Sequence, residues 1–278
     1  MAGNSAIKGV PRLVGVIHLP ALAGAPGAHG LSPSEALQKA GALAVKEAQV
    51  LTKAGFEALI IENFGDIPFY KEQVPAETIA SLSVIAAAVR EVTKLPLGIN
   101  VLRNDAFSAL AIAAVNDLEF MRVNVISGVA ATDQGMIEGK AAELLRERVR
   151  LHAHVAIFAD VHVKHAKTIS SEDVGLAVEE AALRAGADAV IVSGATTGRG
   201  VTRSVLEAAS KVAREIHVPL YVGSGASKET LKDLAPYLDG VIVSSTLRRG
   251  GAAGAPLDSA RIKAFVKEFK KVFGKKRR

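Results

Sequence analysis

The chain has 278 residues, of which 49% are hydrophobic, and its lack of cysteine excludes a disulfide framework and thiolate chemistry. We expect a cytoplasmic protein, because we find no signal peptide and no apolar run of the roughly 18 residues that span a membrane. The net charge of +6 is concentrated in residues 261–278, which carry nine Lys or Arg and one Glu, so we expect no specific nucleic-acid partner.

Eight short apolar runs alternate with helix-like stretches along the chain. Strands are predicted at 12–18, 58–62, 97–102, 120–125, 155–163, 189–193, 220–224 and 241–245. Helices are predicted at 33–53, 75–93, 105–116, 139–152, 172–185, 202–215, 227–236 and 258–272. Strands that alternate with helices predict a parallel sheet, and eight such units in about 250 residues predict a (β/α)8 TIM barrel.

We expect one domain over residues 1–278, ending in a short basic tail at 274–278. That tail leaves open a weak contact with anionic membrane surfaces. The predicted strand-to-helix connections are long, at 19–31, 63–74, 126–138, 164–171, 194–201 and 246–257. Long loops in compact domains are usually functional, and in a barrel these loops all open at the carboxyl end of the strands. The functional site is predicted there.

The fifth predicted strand carries the most informative side chains. Because side chains alternate between faces, Asp160, His162 and Lys164 are predicted to share the face that points into the barrel. Asp160 and His162 are candidates for general acid–base catalysis, and Lys164 for an electrostatic or Schiff-base role. The alternative is a buried network that only ties strands together.

Polar residues end the other predicted strands as well. Glu62 could supply a second carboxylate and His18 a further catalytic group, while the rest could bind substrate. The candidates for binding are Asn100, Arg122, Asn124 and Ser193. A bound divalent metal is a further alternative, since four of these side chains offer nitrogen and oxygen ligands, although no short ligand motif occurs. Those four are His18, Glu62, Asp160 and His162. We assign no metal ligands and no cofactor.

Two loops rich in Gly and Ser follow the seventh and eighth predicted strands. Barrels often bind phosphate there through backbone N–H groups and a helix N-terminus, and glycine lets the backbone approach the anion closely. The predicted phosphate-binding residues are Gly223, Ser224, Gly225, Ser227, Ser244 and Ser245. We therefore expect a phosphorylated small molecule as partner, and a tight turn without a ligand is the alternative.

Several motifs resemble the BtpA/SgcQ family, and the similarity extends from about residue 12 to residue 272. The motifs are VGVIHLPALAGAPG at 14–27, IENFGD at 61–66, GINVLRND at 98–105, FADVHVKH at 158–165 and VIVSG at 190–194. The resemblance implies a TIM barrel close to the phosphate-binding barrels. One member is described as a thylakoid-associated factor that stabilises photosystem I proteins, whereas others lie among genes for sugar uptake and sugar phosphates.

Two functions follow from these observations. The first is an enzyme that acts on a phosphorylated small molecule, as a sugar-phosphate-like isomerase, epimerase or lyase. The second, implied by the resemblance, is a non-catalytic assembly factor for a membrane complex. In either case we expect a homo-oligomer.

Overall fold

The computed structural model describes residues 9–163, 166–169, 173–194 and 200–274. These residues form eleven strands, of which eight are parallel and close into a barrel. The strands are β1 (Leu13–His18), β2 (Ala58–Glu62), β3 (Leu97–Asn100), β4 (Phe120–Val123), β5 (Val129–Thr132), β6 (Gly135–Glu138), β7 (Ala156–Val161), β8 (Ala166–Thr168), β9 (Ala189–Val192), β10 (Leu220–Val222) and β11 (Gly240–Val243). The barrel order is β1-β2-β3-β4-β7-β9-β10-β11, closing on β1. The predicted TIM barrel is confirmed.

Helices follow the barrel strands. They are α1 (Pro33–Ala54), α2 (Ala76–Val92), α3 (Ala106–Val115), α4 (Ala141–Arg150), α5 (Val174–Glu179), α6 (Arg203–Glu215), α7 (Leu231–Leu234) and α8 (Ser259–Phe273). Local signals set the ends of α1, where Ser32 and Glu35 form a capping box and Gly55 ends the helix at a φ of 92°. A π-helical turn, Glu180–Arg184, extends α5. No helix in the described ranges is long and apolar enough to cross a membrane.

Two connections predicted as loops contain structure of their own. β5 and β6 form an antiparallel hairpin, and β8 adds a third strand beside β5. The hairpin turns at Gly135, which has a φ of 98° and whose carbonyl accepts a hydrogen bond from Thr132 Oγ1 at 2.8 Å. Its strands are short and carry few large apolar residues, so the sequence pattern did not reveal them.

The helix predicted at 227–236 is much shorter in the structure. Only α7 is helical, and a turn precedes it: the Ser227 N–H donates to Thr230 Oγ1 at 2.9 Å, the Thr230 N–H donates to Ser227 Oγ at 3.4 Å, and Thr230 Oγ1 donates to the Gly225 carbonyl at 2.9 Å. These side-chain bonds hold residues 225–230 as a turn. The predicted tail lies outside the described residues except for Gly274.

The interior of the barrel is filled by an apolar layer. Its members are Val14, Val16, Ala58, Ile60, Phe120, Ala156, Phe158, Ala189, Ile191, Tyr221 and Ile242. Phe158 contacts both Phe120 and Tyr221, with ring centroids 4.8 and 5.1 Å apart. Gly98 makes room for the Phe120 ring, since a Cβ at this glycine would lie 2.5 Å from it. We call these residues the lower layer.

Candidate functional site

A polar layer lies immediately above the lower layer. On most barrel strands, the position two residues after an inward apolar residue is polar, because alternation returns that position to the interior. The residues at these positions are His18, Glu62, Asn100, Arg122, Asp160, Ser193, Gly223 and Ser244. We call them the upper layer. The strand register aligns three of them, since His18 pairs with Glu62 and Glu62 pairs with Asn100.

Arg122 is at the centre of the upper layer. Its guanidinium makes two hydrogen bonds to Asp160, at 2.8 and 2.9 Å, and one to Glu62 Oε1 at 3.1 Å. Asn124 donates to Asp160 Oδ2 at 2.8 Å, and Asn100 donates to Glu62 Oε1 at 3.0 Å. The Asp160 side chain is fully buried. Asp160 therefore holds Arg122 in place and is not exposed to the cavity described below.

Burial and charge oppose each other in this layer. Burial lowers the pKa of Arg122, but the charges of Asp160 and Glu62 outweigh it and raise that pKa above its ordinary value. At Arg103, just past β3, burial dominates and lowers the pKa, although the charges of Asp160 and Asp133 oppose the shift. Arg122 is thus a permanently charged group between two carboxylates.

His18 lies between Glu62 and the loop that follows β11. Its Nε2 is 3.7 Å from Glu62 Oε2, and its ring stacks on Phe64 with centroids 4.1 Å apart. The Gly254 N–H points at Nδ1 at 3.3 Å. Because a backbone N–H can only donate, Nδ1 must accept, and in the neutral ring the proton is on Nε2, towards Glu62.

Arg248 supports His18 from the other side. It is 1% exposed and makes two 2.7 Å hydrogen bonds to the Glu47 carboxylate. Its Nε also donates to Ser244 Oγ at 3.0 Å, and that hydroxyl lies 3.3 Å from His18 Nδ1. The Ser244 hydroxyl also donates to the Val16 carbonyl at 3.4 Å, so the Gly254 N–H alone indicates the tautomer of His18.

A cavity of about 300 Å³ opens above the upper layer at the carboxyl ends of the strands. Ten of the predicted site residues line it: His18, Glu62, Asn100, Arg122, Asn124, Gly223, Ser224, Gly225, Ser244 and Ser245. Ser193 does not line the cavity, but it lies beside Gly223, where a Cβ would be 2.8 Å from Ser193 Oγ. Most of the predicted site is therefore assembled in one place.

The two Gly/Ser loops contribute different amides from those predicted. The Gly223 N–H is bonded to the Val192 carbonyl at 2.9 Å, and the Ser227 N–H to Thr230 Oγ1. Both are occupied, and Ser227 does not line the cavity, so neither can present its N–H to a ligand. Among the cavity-lining residues of these loops are Ser224, Gly225, Ala226, Ser245 and Thr246, whose N–H groups make no hydrogen bond to another described residue.

The prediction that Asp160 and His162 share an inward face is wrong. β7 ends at Val161, and His162 has a φ of 53°, so alternation stops before it. His162 does not line the 300 Å³ cavity. It lines a smaller one, of about 50 Å³, together with Asp160, Ser127, Ala177 and Glu180. Lys164, the third predicted member of this face, lies outside the described residues.

The alternative of a metal site on four strand-end residues finds no support in the geometry. Among the residues that the structure describes, no three His, Asp or Glu side chains converge in a way that could hold a metal ion. His18 is near Glu62, but Asp160 is bonded to Arg122 and His162 lies in the other cavity.

Several contributors to the site were not among the predicted site residues, and they include Phe64, Arg103, Asp133 and Arg248. Phe64 and Arg103 are inside the motifs IENFGD and GINVLRND, directly after strands, which was the available signal. Asp133 reaches the cavity only because residues 129–138 fold as a hairpin. Arg248 meets Glu47 across 201 positions of sequence, and no local pattern reports such a contact.

Comparison with known proteins agrees with this architecture. A model of the BtpA family matches residues 10–271. The chain is 45% identical over 255 residues to a protein of Methanocaldococcus jannaschii, covering 91% of this chain and 93% of the relative. It is 43% identical over 223 residues to the Photosystem I biogenesis protein BtpA of Synechocystis sp., covering 80% of this chain and 77% of the relative.

Among solved structures, N-(5'-phosphoribosyl)anthranilate isomerase from Pyrococcus furiosus aligns with a TM-score of 0.57 over 94% of this chain and 100% of that one. The sequence identity is 14%, so the likeness extends to the fold alone. The family model, in contrast, matches nearly the whole chain and includes both the upper layer and the two Gly/Ser loops. The chain therefore belongs to the BtpA family.

Proposed function

We propose that the protein is an enzyme that acts on a phosphorylated small molecule, with chemistry of the sugar-phosphate isomerase, epimerase or lyase type. One observation carries the proposal. The same cavity is lined by five residues on the loops after β10 and β11 whose backbone N–H groups make no hydrogen bond to another residue that the structure describes, and by the pair His18 and Glu62. Converging N–H groups bind phosphate oxygens, and a carboxylate beside a neutral imidazole can move protons.

Glu62 and His18 take the reactive roles in this proposal. Glu62 Oε1 is held by Arg122 and Asn100, which orients Oε2 towards His18. Glu62 removes a proton from a hydroxyl-bearing carbon next to a carbonyl group of the substrate and returns it to the carbonyl carbon, while the hydroxyl proton passes to the former carbonyl oxygen by way of His18 Nε2. The His18 Nε2–H donates a hydrogen bond to the carbonyl oxygen as negative charge develops there. Asp160 positions Arg122, and Lys164 keeps its predicted electrostatic or Schiff-base role.

The fold supports phosphate binding in a general way. The isomerase from Pyrococcus furiosus is named for a phosphoribosyl compound and shares the barrel architecture. In TIM barrels phosphate sites frequently form from the loops after the seventh and eighth strands, which here are the loops after β10 and β11.

The name of the Synechocystis relative favours a second candidate, a factor that assists assembly of a membrane complex. An open cavity lined by ionised side chains is unfavourable for stability and has no evident use in a purely structural factor. We therefore place catalysis first, with assembly as the alternative.

Phosphate binding tests the proposal. We expect inorganic phosphate to raise the melting temperature of the protein and Gly225→Asp to weaken its binding at least about tenfold, because the new carboxylate repels the anion. Gly250→Asp is the matched control: Gly250 also has a positive φ, is exposed and does not line the cavity. Equal phosphate affinity in the Gly225 variant and the wild type would show that the loops bind no phosphate.

A further inference from the structure

The loop between β2 and α2 presents an apolar tip to the cavity. Ile67, Pro68 and Phe69 all line the cavity wall, and Ile67 is 54% exposed. Phe64, at the start of the same loop, covers one face of the His18 ring. Exposed apolar side chains that line a concave site commonly mark the place where an apolar part of a ligand binds.

Hydrogen bonds at both ends of the loop fix its backbone, and the tip between them is exposed. At one end, the Gly65 N–H donates to the Leu19 carbonyl at 2.9 Å, and a Cβ on Gly65 would lie 2.3 Å from the backbone of Ala21. Asp66 next to it accepts from the Leu22 N–H at 2.8 Å.

At the other end, the Tyr70 carbonyl accepts from the Arg103 N–H at 3.1 Å. Residues 67–69 therefore stand out between two fixed ends. A surface held in its binding shape loses little conformational entropy when a ligand packs on it.

The cavity lining includes both polar backbone groups and apolar side chains. The Gly/Ser loops after β10 and β11 offer N–H groups, whereas the β2–α2 loop, together with Leu102, offers carbon atoms. The volume of about 300 Å³ is that of a small-molecule pocket and exceeds what a phosphate group alone requires. Hydroxyl groups of a plain polyol would meet no hydrogen-bond partner on Ile67 or Phe69, which disfavours them there.

We infer that the substrate is a phosphate ester whose far end carries an apolar, ring-like group, and that this group packs on Ile67, Pro68 and Phe69. The inference rests on the proposed function and narrows its substrate class. The phosphate binds at residues 224–226 and 245–246, the reacting carbons lie near Glu62 and His18, and the ring fills the apolar end of the cavity.

The test compares two phosphate monoesters, phenyl phosphate and glycerol phosphate, by calorimetric titration of the full-length protein. Both should compete with inorganic phosphate, and phenyl phosphate should bind at least about tenfold tighter, because even small apolar groups give such ratios in fitted pockets. Ile67→Ser should lower that ratio by roughly threefold while glycerol phosphate binds as before.

Val84→Ser is the matched control, because Val84 is also 54% exposed but lies on α2 and outside the cavity. It should leave the ratio unchanged. Equal affinity of the wild type for the two esters, or an unchanged ratio in Ile67→Ser, would overturn the inference and leave phosphate binding intact. If neither ester nor inorganic phosphate binds, the proposed function itself fails.

Discussion

The lower and upper layers of the barrel interior are built from the same strands, two residues apart, yet their chemistry is opposite. The lower layer consists of apolar side chains and Tyr221, and Phe158 contacts two other aromatic rings in it. The burial of this layer stabilises the fold. The upper layer buries Arg122 between two carboxylates, an arrangement that usually adds no stability over apolar side chains of similar size. The difference teaches that one strand can supply stability at one residue and a functional group two residues later.

The largest effect is expected when Arg122 is removed from the upper layer. Arg122→Met leaves Asp160 and Glu62 as buried carboxylates without their cation, so we expect the free energy of unfolding to fall by about 3–5 kcal/mol. Urea unfolding at neutral pH measures it. The triple variant Arg122→Met, Glu62→Gln, Asp160→Asn removes all three charges and should recover most of the loss. A single variant that loses less than about 1 kcal/mol would mean that the layer is not electrostatically coupled.

A smaller effect is expected at the one hydroxyl in the lower layer. The Tyr221 hydroxyl donates to the buried Pro11 carbonyl at 2.7 Å. Tyr221→Phe leaves that carbonyl without its donor and should cost about 1–3 kcal/mol, without affecting phosphate binding. Weaker phosphate binding in this variant would show that the two layers are not independent.

The same tyrosine predicts a pH dependence. Burial raises the pKa of Tyr221 above its ordinary value of 10.0, so above that pH the unfolded chain loses a proton that the folded protein keeps. The folded state then binds more protons, and its stability must fall as the pH rises. Urea unfolding above pH 10 should show a smaller fall in Tyr221→Phe than in the wild type; identical profiles would contradict the burial of the phenol.

A further prediction concerns the tautomer of His18 in the upper layer, which is measured by spectroscopy and involves no change in stability. In the neutral imidazole of His18 the proton should be on Nε2, because the Gly254 N–H donates to Nδ1. Long-range ¹H–¹⁵N correlation spectra distinguish the two tautomers, and the exposed His29 provides an internal reference. A proton on Nδ1 and none on Nε2 would remove His18 as the hydrogen-bond donor beside Glu62.

The smallest effect is expected at the chain end. α8 ends at Phe273, whose carbonyl accepts from Arg12 Nη1 at 2.9 Å. Deleting residues 275–278 keeps this contact, so the melting temperature should change by less than about 2 °C, within the usual range for surface changes. Binding to anionic vesicles that disappears with the deletion would support the assembly function; a larger loss of stability would mean that the tail packs on the barrel.

The sequence was sufficient for the barrel and for most of the upper layer. Side chains alternate between the two faces of a strand, so the inward direction of His18, Glu62 and Arg122 follows from their positions along their strands. The same rule failed at His162, because a pattern of side chains does not report where the backbone leaves the strand.

Other failures have different physical causes. Ser227 was expected to bind phosphate, but its N–H is bonded to Thr230 Oγ1, and its own hydroxyl accepts from the Thr230 N–H. The hairpin of β5 and β6 has strands of four residues, too short for a clear period. The contact of Arg248 with Glu47 exists only after the barrel has closed. Features set by neighbouring residues could therefore be predicted from the sequence. The choice between hydrogen-bond partners and the contacts between distant residues could not.

The aromatic rings of the lower layer also close the cavity at its lower end. Phe120, Phe158 and Tyr221 form a floor beneath Arg122 and Glu62, so the cavity has its entrance on the side of the loops. A molecule that enters displaces water outward through the passage by which it arrived, and it must depart before another can follow. Residues 67–69 line this cavity, and Ile67 and Pro68 are exposed. In the proposed enzyme, an apolar group packed on these residues would have to leave them before the next molecule could bind.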